Sequence, residues 1–165
     1  MNLLYKTIDR YRAKLLVLLT HNMALPLLKK MRRPVKFPYT ENELHHFPDH
    51  SLGKDLVTYL KEKELKLLPY YAKHDIKHIL LNYDTTGEGE VCLQSFMLGN
   101  GHISFPVAAT VLYGFVTMPE YWKIFIRAYQ RGKRADAIAD WQWFALLKTP
   151  TQILINKINQ HEINH

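Results

Sequence analysis

The chain reads as all-α, a single-domain bundle of about seven helices, and three observations predict this. Apolar residues recur at steps of three and four along most of its length. No stretch combines sustained apolar–polar alternation with turn residues at both ends, as strands require. Capping residues, prolines and glycines fall at the ends of the periodic stretches. At 165 residues and 19.5 kDa the chain is long enough to bury one real core and too short for two comfortable domains.

The elements follow in order. Leu4, Ile8, Tyr11, Leu15 and Leu18 make one apolar stripe on a first helix from about Leu3 to His21. Pro26 interrupts the chain, and Leu27 to Arg33 forms a further short helical turn before Pro34 and Pro38 bound an extended connection. Tyr39 to His50 is polar and carries prolines, so it is expected to be a loop. Ser51 is an N-cap for a helix bearing Leu52, Leu56 and Leu60, because its hydroxyl can accept a free backbone N–H. A helix from about Leu68 to Tyr83 is broken by Asp84-Thr85-Thr86-Gly87, and the next runs from Glu88 to a stop at Gly99. Ile103 to Thr117 is uncharged all round, which predicts a central or lipid-facing helix. Pro119 suits a first helical position, with Trp122, Phe125, Ile126 and Tyr129 on one face down to Gly132, a normal helix stop. Arg134 to Leu147 is a further helix, and Thr149-Pro150 is a cap-plus-first-residue pair opening the last one, with Ile153, Leu154 and Ile158.

Composition bounds the function. Apolar residues at 47% and charged residues at 22% exclude a disordered or collagen-like chain. Lys and Arg total 22 against 15 Asp and Glu, a net charge of +7 that favours anionic partners. The chain has no helix-turn-helix signature, zinc finger or aromatic–basic stripe, so the expectation is no nucleic acid. The lone Cys92 excludes an internal disulfide and a cysteine-based zinc cluster, so any metal must be held by imidazole and carboxylate. The longest uncharged stretch, from Val91 to Pro119, is split by Gly99-Asn100-Gly101-His102 into apolar pieces of 8 and 16 residues. Both are short of the roughly 20 residues that span a bilayer. The basic, apolar N-terminus lacks a cleavage site, so the chain is expected to be unprocessed and cytoplasmic, with peripheral contact to a membrane. Lys29, Lys30, Arg32 and Arg33, beside apolar Ala24–Leu28, suit an anionic leaflet.

The chemistry concentrates in His74-Asp75-Ile76-Lys77-His78, followed after eleven residues by Glu90. His74 and His78 are one helical turn apart, and Asp75 lies about 60° around the helix from His78. The Asp84–Gly87 turn would let the next helix fold back and bring Glu90 alongside. Two imidazoles and one or two carboxylates suit zinc, seat ferrous iron equally well, and also permit acid–base work without metal. The second position is Asp rather than the Glu of His-Glu-x-x-His, which argues against a protease. Lys77 points elsewhere on the helix and reads as a solvated charge. Gln94, one turn after Glu90, would orient a ligand or bond a neighbouring helix. His102 reads as a cap or surface residue, and His21, His45, His46, His50, His161 and His165 lie on polar segments. Arg131-Gly132-Lys133-Arg134 could hold a phosphate or carboxylate headgroup.

This spacing resembles the signature of the ubiquinone (coenzyme Q) biosynthesis protein family of the Coq-four type. Ser51-Leu52-Gly53, Gly89-Glu90-Val91, Ala128-Tyr129-x-Arg131-Gly132-x-x-Ala135 and Asp140-Trp141 are similar to further family elements, so the resemblance is strongest over 51–141. It implies an all-helical zinc protein, with iron(II) as the alternative, whose ligands are His74, Asp75, His78 and Glu90. It further implies membrane association within an assembly of quinone-biosynthesis proteins, and removal of the ring carboxyl group from a polyprenylated benzoate. In that reaction Glu90 and Asp75 are the candidate catalytic residues, and a prenylated aromatic lipid is the partner. A homodimer is left open. The alternative is a non-catalytic prenyl-lipid-binding scaffold in which the metal staples two helices.

Overall fold

The computed structural model describes residues 11–12 and 35–160. Among them are seven α-helices and no strand. They are α1 (Glu41–His45), α2 (Leu52–Glu62), α3 (Ala72–Leu81), α4 (Gly87–Gly99), α5 (Phe105–Thr117), α6 (Trp122–Arg134) and α7 (Thr151–Ile158). Short 3₁₀ turns lie at Pro119–Tyr121 and Trp143–Leu146. The two helices expected before Arg33, apart from helical Tyr11 and Arg12, and the basic cluster at Lys29–Arg33 lie outside the described residues. The chain divides into two compact units, one containing residues 84–133 and the other residues 35–83 and 134–160.

In the first unit α4 and α5 pack along each other. Gly114 of α5 sits on the Val91 side chain, so closely that a Cβ there would overlap it. Val91, Leu93, Phe96, Met97, Phe125 and Ala128 are buried. Of the two placements expected for the uncharged helix, the central one is not adopted: Val107, Thr110 and Gly114 are its buried residues, while Phe105, Leu112 and Val116 are 72%, 65% and 72% exposed. Nor does α6 bury the stripe of Trp122, Ile126 and Tyr129, all of which are exposed; Phe125, Ala128 and Gly132 form its inner face. Uncharged composition limits what a helix tolerates, but its neighbours decide which side is covered. Gly132, expected to stop the helix, lies inside it, and Gly99 and Gly132 mark a backbone-to-backbone crossing of α4 and α6. No helix among the described residues is long and apolar enough to cross a membrane.

Cys92 is buried in α4, where burial, followed by the nearby charge of Glu88, pushes its thiol up to about 11. At pH 8 very little thiolate exists to react. Ellman's reagent is therefore expected to label the native chain at least tenfold more slowly than the unfolded chain.

In the second unit the start of α2 is tied to the approach to α7. The Leu52 and Gly53 amides donate to the Thr149 and Leu147 carbonyls at 3.0 and 2.8 Å. The Thr151 amide donates to His50 O at 2.9 Å, and its hydroxyl donates to Asp55 Oδ2 at 2.5 Å. Ser51 caps α2 as expected, accepting from the Lys54 amide at 3.4 Å. Pro150 sits at the N-cap of α7 rather than at its first helical position, so Thr151 opens that helix. α2 packs on α3, which in turn packs on α7.

Three further departures have local causes. The expected loop Tyr39–His50 contains α1, because Thr40 and Glu43 form a capping box: Thr40 Oγ1 accepts from the Glu43 amide and Glu43 Oε2 from the Thr40 amide at 2.7 Å. The helix expected from Leu68 starts at Ala72, behind Pro69 and the turn that follows it. Arg134–Leu147 is not an α-helix: past Arg134 the chain runs irregularly, with Ile138 buried, into the 3₁₀ turn. There the Asp136 amide donates to Ile158 O at 3.0 Å, a bond across the chain in place of the helical ladder.

Candidate metal centre

α3 builds the centre from one turn of helix. His74 and His78 face each other edge to face, with ring centroids 4.7 Å apart and planes at 82°. Their Nε2 atoms are 3.1 Å apart. His78 is 2% exposed, and its Nδ1 is 2.9 Å from the backbone carbonyl of Tyr83. A carbonyl only accepts, so Nδ1 carries the hydrogen and Nε2 presents its lone pair toward His74.

That carbonyl is the functional group the motif does not announce. α3 ends at Asn82, which takes a left-handed conformation with φ 55°, so Tyr83 O lies within bonding distance of the helix just finished. Asn tolerates this region better than other non-glycine residues. An asparagine directly after the apolar pair Leu80-Leu81 is the signal from which it could have been found.

Glu90 stands in the first turn of α4. Thr86 caps the helix, its hydroxyl accepting from the Gly89 amide at 3.2 Å. Gly89 lies so near the Asp84 carbonyl that any side chain would overlap it. The tight turn therefore requires glycine immediately before Glu90, and a carboxylate in the first turn suits the positive end of the helix dipole. His74, His78 and Glu90 each offer one ligand atom, and these atoms all lie within 4.8 Å of one another. Asp75, half-buried on the same helix, does not belong to that group. Gln94 and His102 are also half-buried, and His102 lies outside the group.

The nitrogen spacing fits a cation. Two ligands at about 2.05 Å in a tetrahedron stand about 3.3 Å apart. Two at right angles with bonds of about 2.1 Å stand about 3.0 Å apart, as an octahedral iron site requires. The observed 3.1 Å lies between, so the donor set admits either metal.

Lys77, expected to be solvated, is not. It is half-buried with its Nζ 5.7 Å from the centroid of the Trp143 indole. Burial, followed by the charge of Lys73, pushes its pKa down to about 8. The helix angle places Lys77 off the histidine face as the spacing requires, but the face it occupies is occupied by an aromatic ring rather than water.

No family profile matches the chain, and no curated protein does. Comparison with solved structures finds the fold in a crystal structure of a candidate ubiquinone biosynthesis protein from Nostoc punctiforme PCC 73102. The TM-score is 0.61 with 20% sequence identity, over 92% of this chain and 80% of that one. What the two share is the all-helical fold.

Proposed function

We propose that this chain is a metal-dependent protein of ubiquinone or related quinone biosynthesis that removes the ring carboxyl group of a polyprenylated hydroxybenzoate as carbon dioxide, a proton taking its place on the ring carbon. The observation that carries the reading is the convergence of His74, His78 and Glu90 ligand atoms within 4.8 Å. The fold shared with the Nostoc protein and the His74-Asp75-x-x-His78 spacing support it. When bound, a cation here would neutralise a ring carboxylate and stabilise charge developing on the ring.

The chain's own residues prepare that chemistry. The Tyr83 carbonyl fixes the ring orientation and tautomer of His78, as outer partners of metal-binding histidines do. Glu90 is the proposed third ligand, and Asp75 the proposed fourth. Glu90 or Asp75 is the proposed holder of the proton delivered to the reacting carbon. The donor set would hold zinc, with iron(II) as the alternative. A membrane surface and other quinone-biosynthesis proteins are the proposed surroundings of a substrate with so long an apolar tail.

A non-catalytic lipid-binding scaffold is the second reading, favoured by the exposed apolar side of α5 at Phe105, Leu112 and Val116. Turnover separates the two. Metal-loaded protein is expected to release carbon dioxide from a prenylated hydroxybenzoate, and Glu90→Gln to lower the rate at least 100-fold. Full metal occupancy with no turnover would replace the enzyme by the scaffold.

A further inference from the structure

In the first unit, α5 presents an apolar strip that is complementary to itself. Val107, Thr110 and Gly114 lie on the buried side of the helix. On the opposite side, at helical spacing, stand Phe105, Ala108, Ala109, Leu112 and Val116, all of them exposed. The strip is about 16 Å long. No charged residue lies between Val91 and Pro119. The same five residues line an open, almost wholly apolar hollow of about 520 Å³. Along one edge Tyr113 is engaged, its hydroxyl donating to Arg12 O at 2.8 Å.

Side-chain sizes along the strip run large, small, small, large, large. Reversing the helix about the level of Thr110 and Val111 sets Leu112 opposite Ala109 and Phe105 opposite Val116. A second α5 running antiparallel therefore seats each Leu112 in the space over the partner's Ala109, and the contact closes after two copies because it is the same patch on both. With exposed Ile103 beside it, the strip offers roughly 500 Å² per copy. Pairing then removes about 1,000 Å² in all, the lower bound for a specific interface. A bilayer surface fits this helix less well, because helices that lie on membranes carry Lys and Arg beside the apolar face and α5 has neither. We propose that the exposed side of α5 is a docking surface for a second copy of this chain, giving a twofold dimer through antiparallel α5 helices. The dimer does not rest on the metal reading.

Sedimentation velocity of the full chain tests this. An interface at the lower size limit is expected to dissociate with a Kd on the order of 10 μM, so the chain at about 100 μM should sediment mainly as a dimer. Leu112→Lys, altered at an exposed position, should keep the parent's Tm and raise Kd at least 100-fold, because it buries a charge without a partner. Ala109→Leu should raise Kd at least tenfold although it makes the strip more apolar, since it fills the place that Leu112 takes. Ile153→Lys, at an exposed apolar position of α7, should change Kd less than twofold. Cys92 is buried and nearly without thiolate, so a short bismaleimide reads an introduced cysteine alone. Ala109→Cys copies should cross-link, and Ile153→Cys copies should not. The dimer should survive dialysis against EDTA, so loss of the metal leaves it standing. A monomer at this concentration, equal weakening by Ile153→Lys, tightening by Ala109→Leu or dissociation by EDTA would each overturn the proposal. So would a chain that stays monomeric and floats with phosphatidylcholine vesicles, in favour of a lipid-facing helix.

Discussion

A His78→Ala chain is expected to retain less than one-tenth of the zinc or iron that the parent carries, read by elemental analysis after gel filtration. The parent should carry close to one equivalent. Two effects combine at this position. The substitution removes a ligand whose Nε2 faces that of His74 at 3.1 Å. It also empties a fully buried place and leaves the Tyr83 carbonyl without its donor, which costs about 1–3 kcal/mol in addition to the lost packing. His74→Ala separates the two, because His74 is half-buried and makes no part of the Tyr83 bond. It should lose the metal to a similar degree with a smaller fall in Tm. Undiminished metal in both variants would remove the centre and the proposed chemistry with it.

Gly132→Ala is expected to be among the most damaging single-methyl changes at the described glycines, alongside Gly89 and Gly99. An added Cβ would fall well inside the 3.0 Å that real Cβ atoms keep, against the backbone carbonyl oxygen of Phe96. The opposing glycine, Gly99, meets the Tyr129 carbonyl in the same way. Overpacking usually costs 1–3 kcal/mol when side chains can shift, and here the obstacle is backbone on both sides. A loss of about 3 kcal/mol or more is therefore expected, roughly 10 °C in Tm for a chain of this size. Gly101→Ala is the control. Gly101 has φ 86° with nothing near its absent Cβ, so alanine there costs only the left-handed backbone strain of about 1–2 kcal/mol. Comparable Tm values for the two variants would mean that α4 and α6 do not cross at these glycines.

These two sites differ in how far the sequence discloses them. The pairing of His74 with His78 needs nothing but the helical repeat, and Glu90 adds one short turn, so the spacing alone points to the group found. Asp75 meets the same angular condition, yet it is not among the three residues whose ligand atoms lie within 4.8 Å of one another, and its place as a fourth ligand is a proposal. An angle on a helix gives the direction of a side chain, not the distance to what stands opposite. Gly132 reads equally well as a stop or a crossing point, because both uses need a residue without Cβ. Only the position of Phe96, distant in the chain, separates them. The Thr40-x-x-Glu43 spacing of the capping box stands in the sequence, but the polar residues and prolines around it point to a loop.

By itself the sequence determined the helical class, most of the helices that its caps and breakers delimit, and the imidazole pair, because each depends on interactions within a few residues. The tertiary structure alone decided which side of α5 and α6 is covered, that Gly132 serves a crossing, and that Lys77 lies on an indole instead of in water. Burial and close approach are properties of neighbours brought together from distant parts of the chain, and no local pattern of residues contains them.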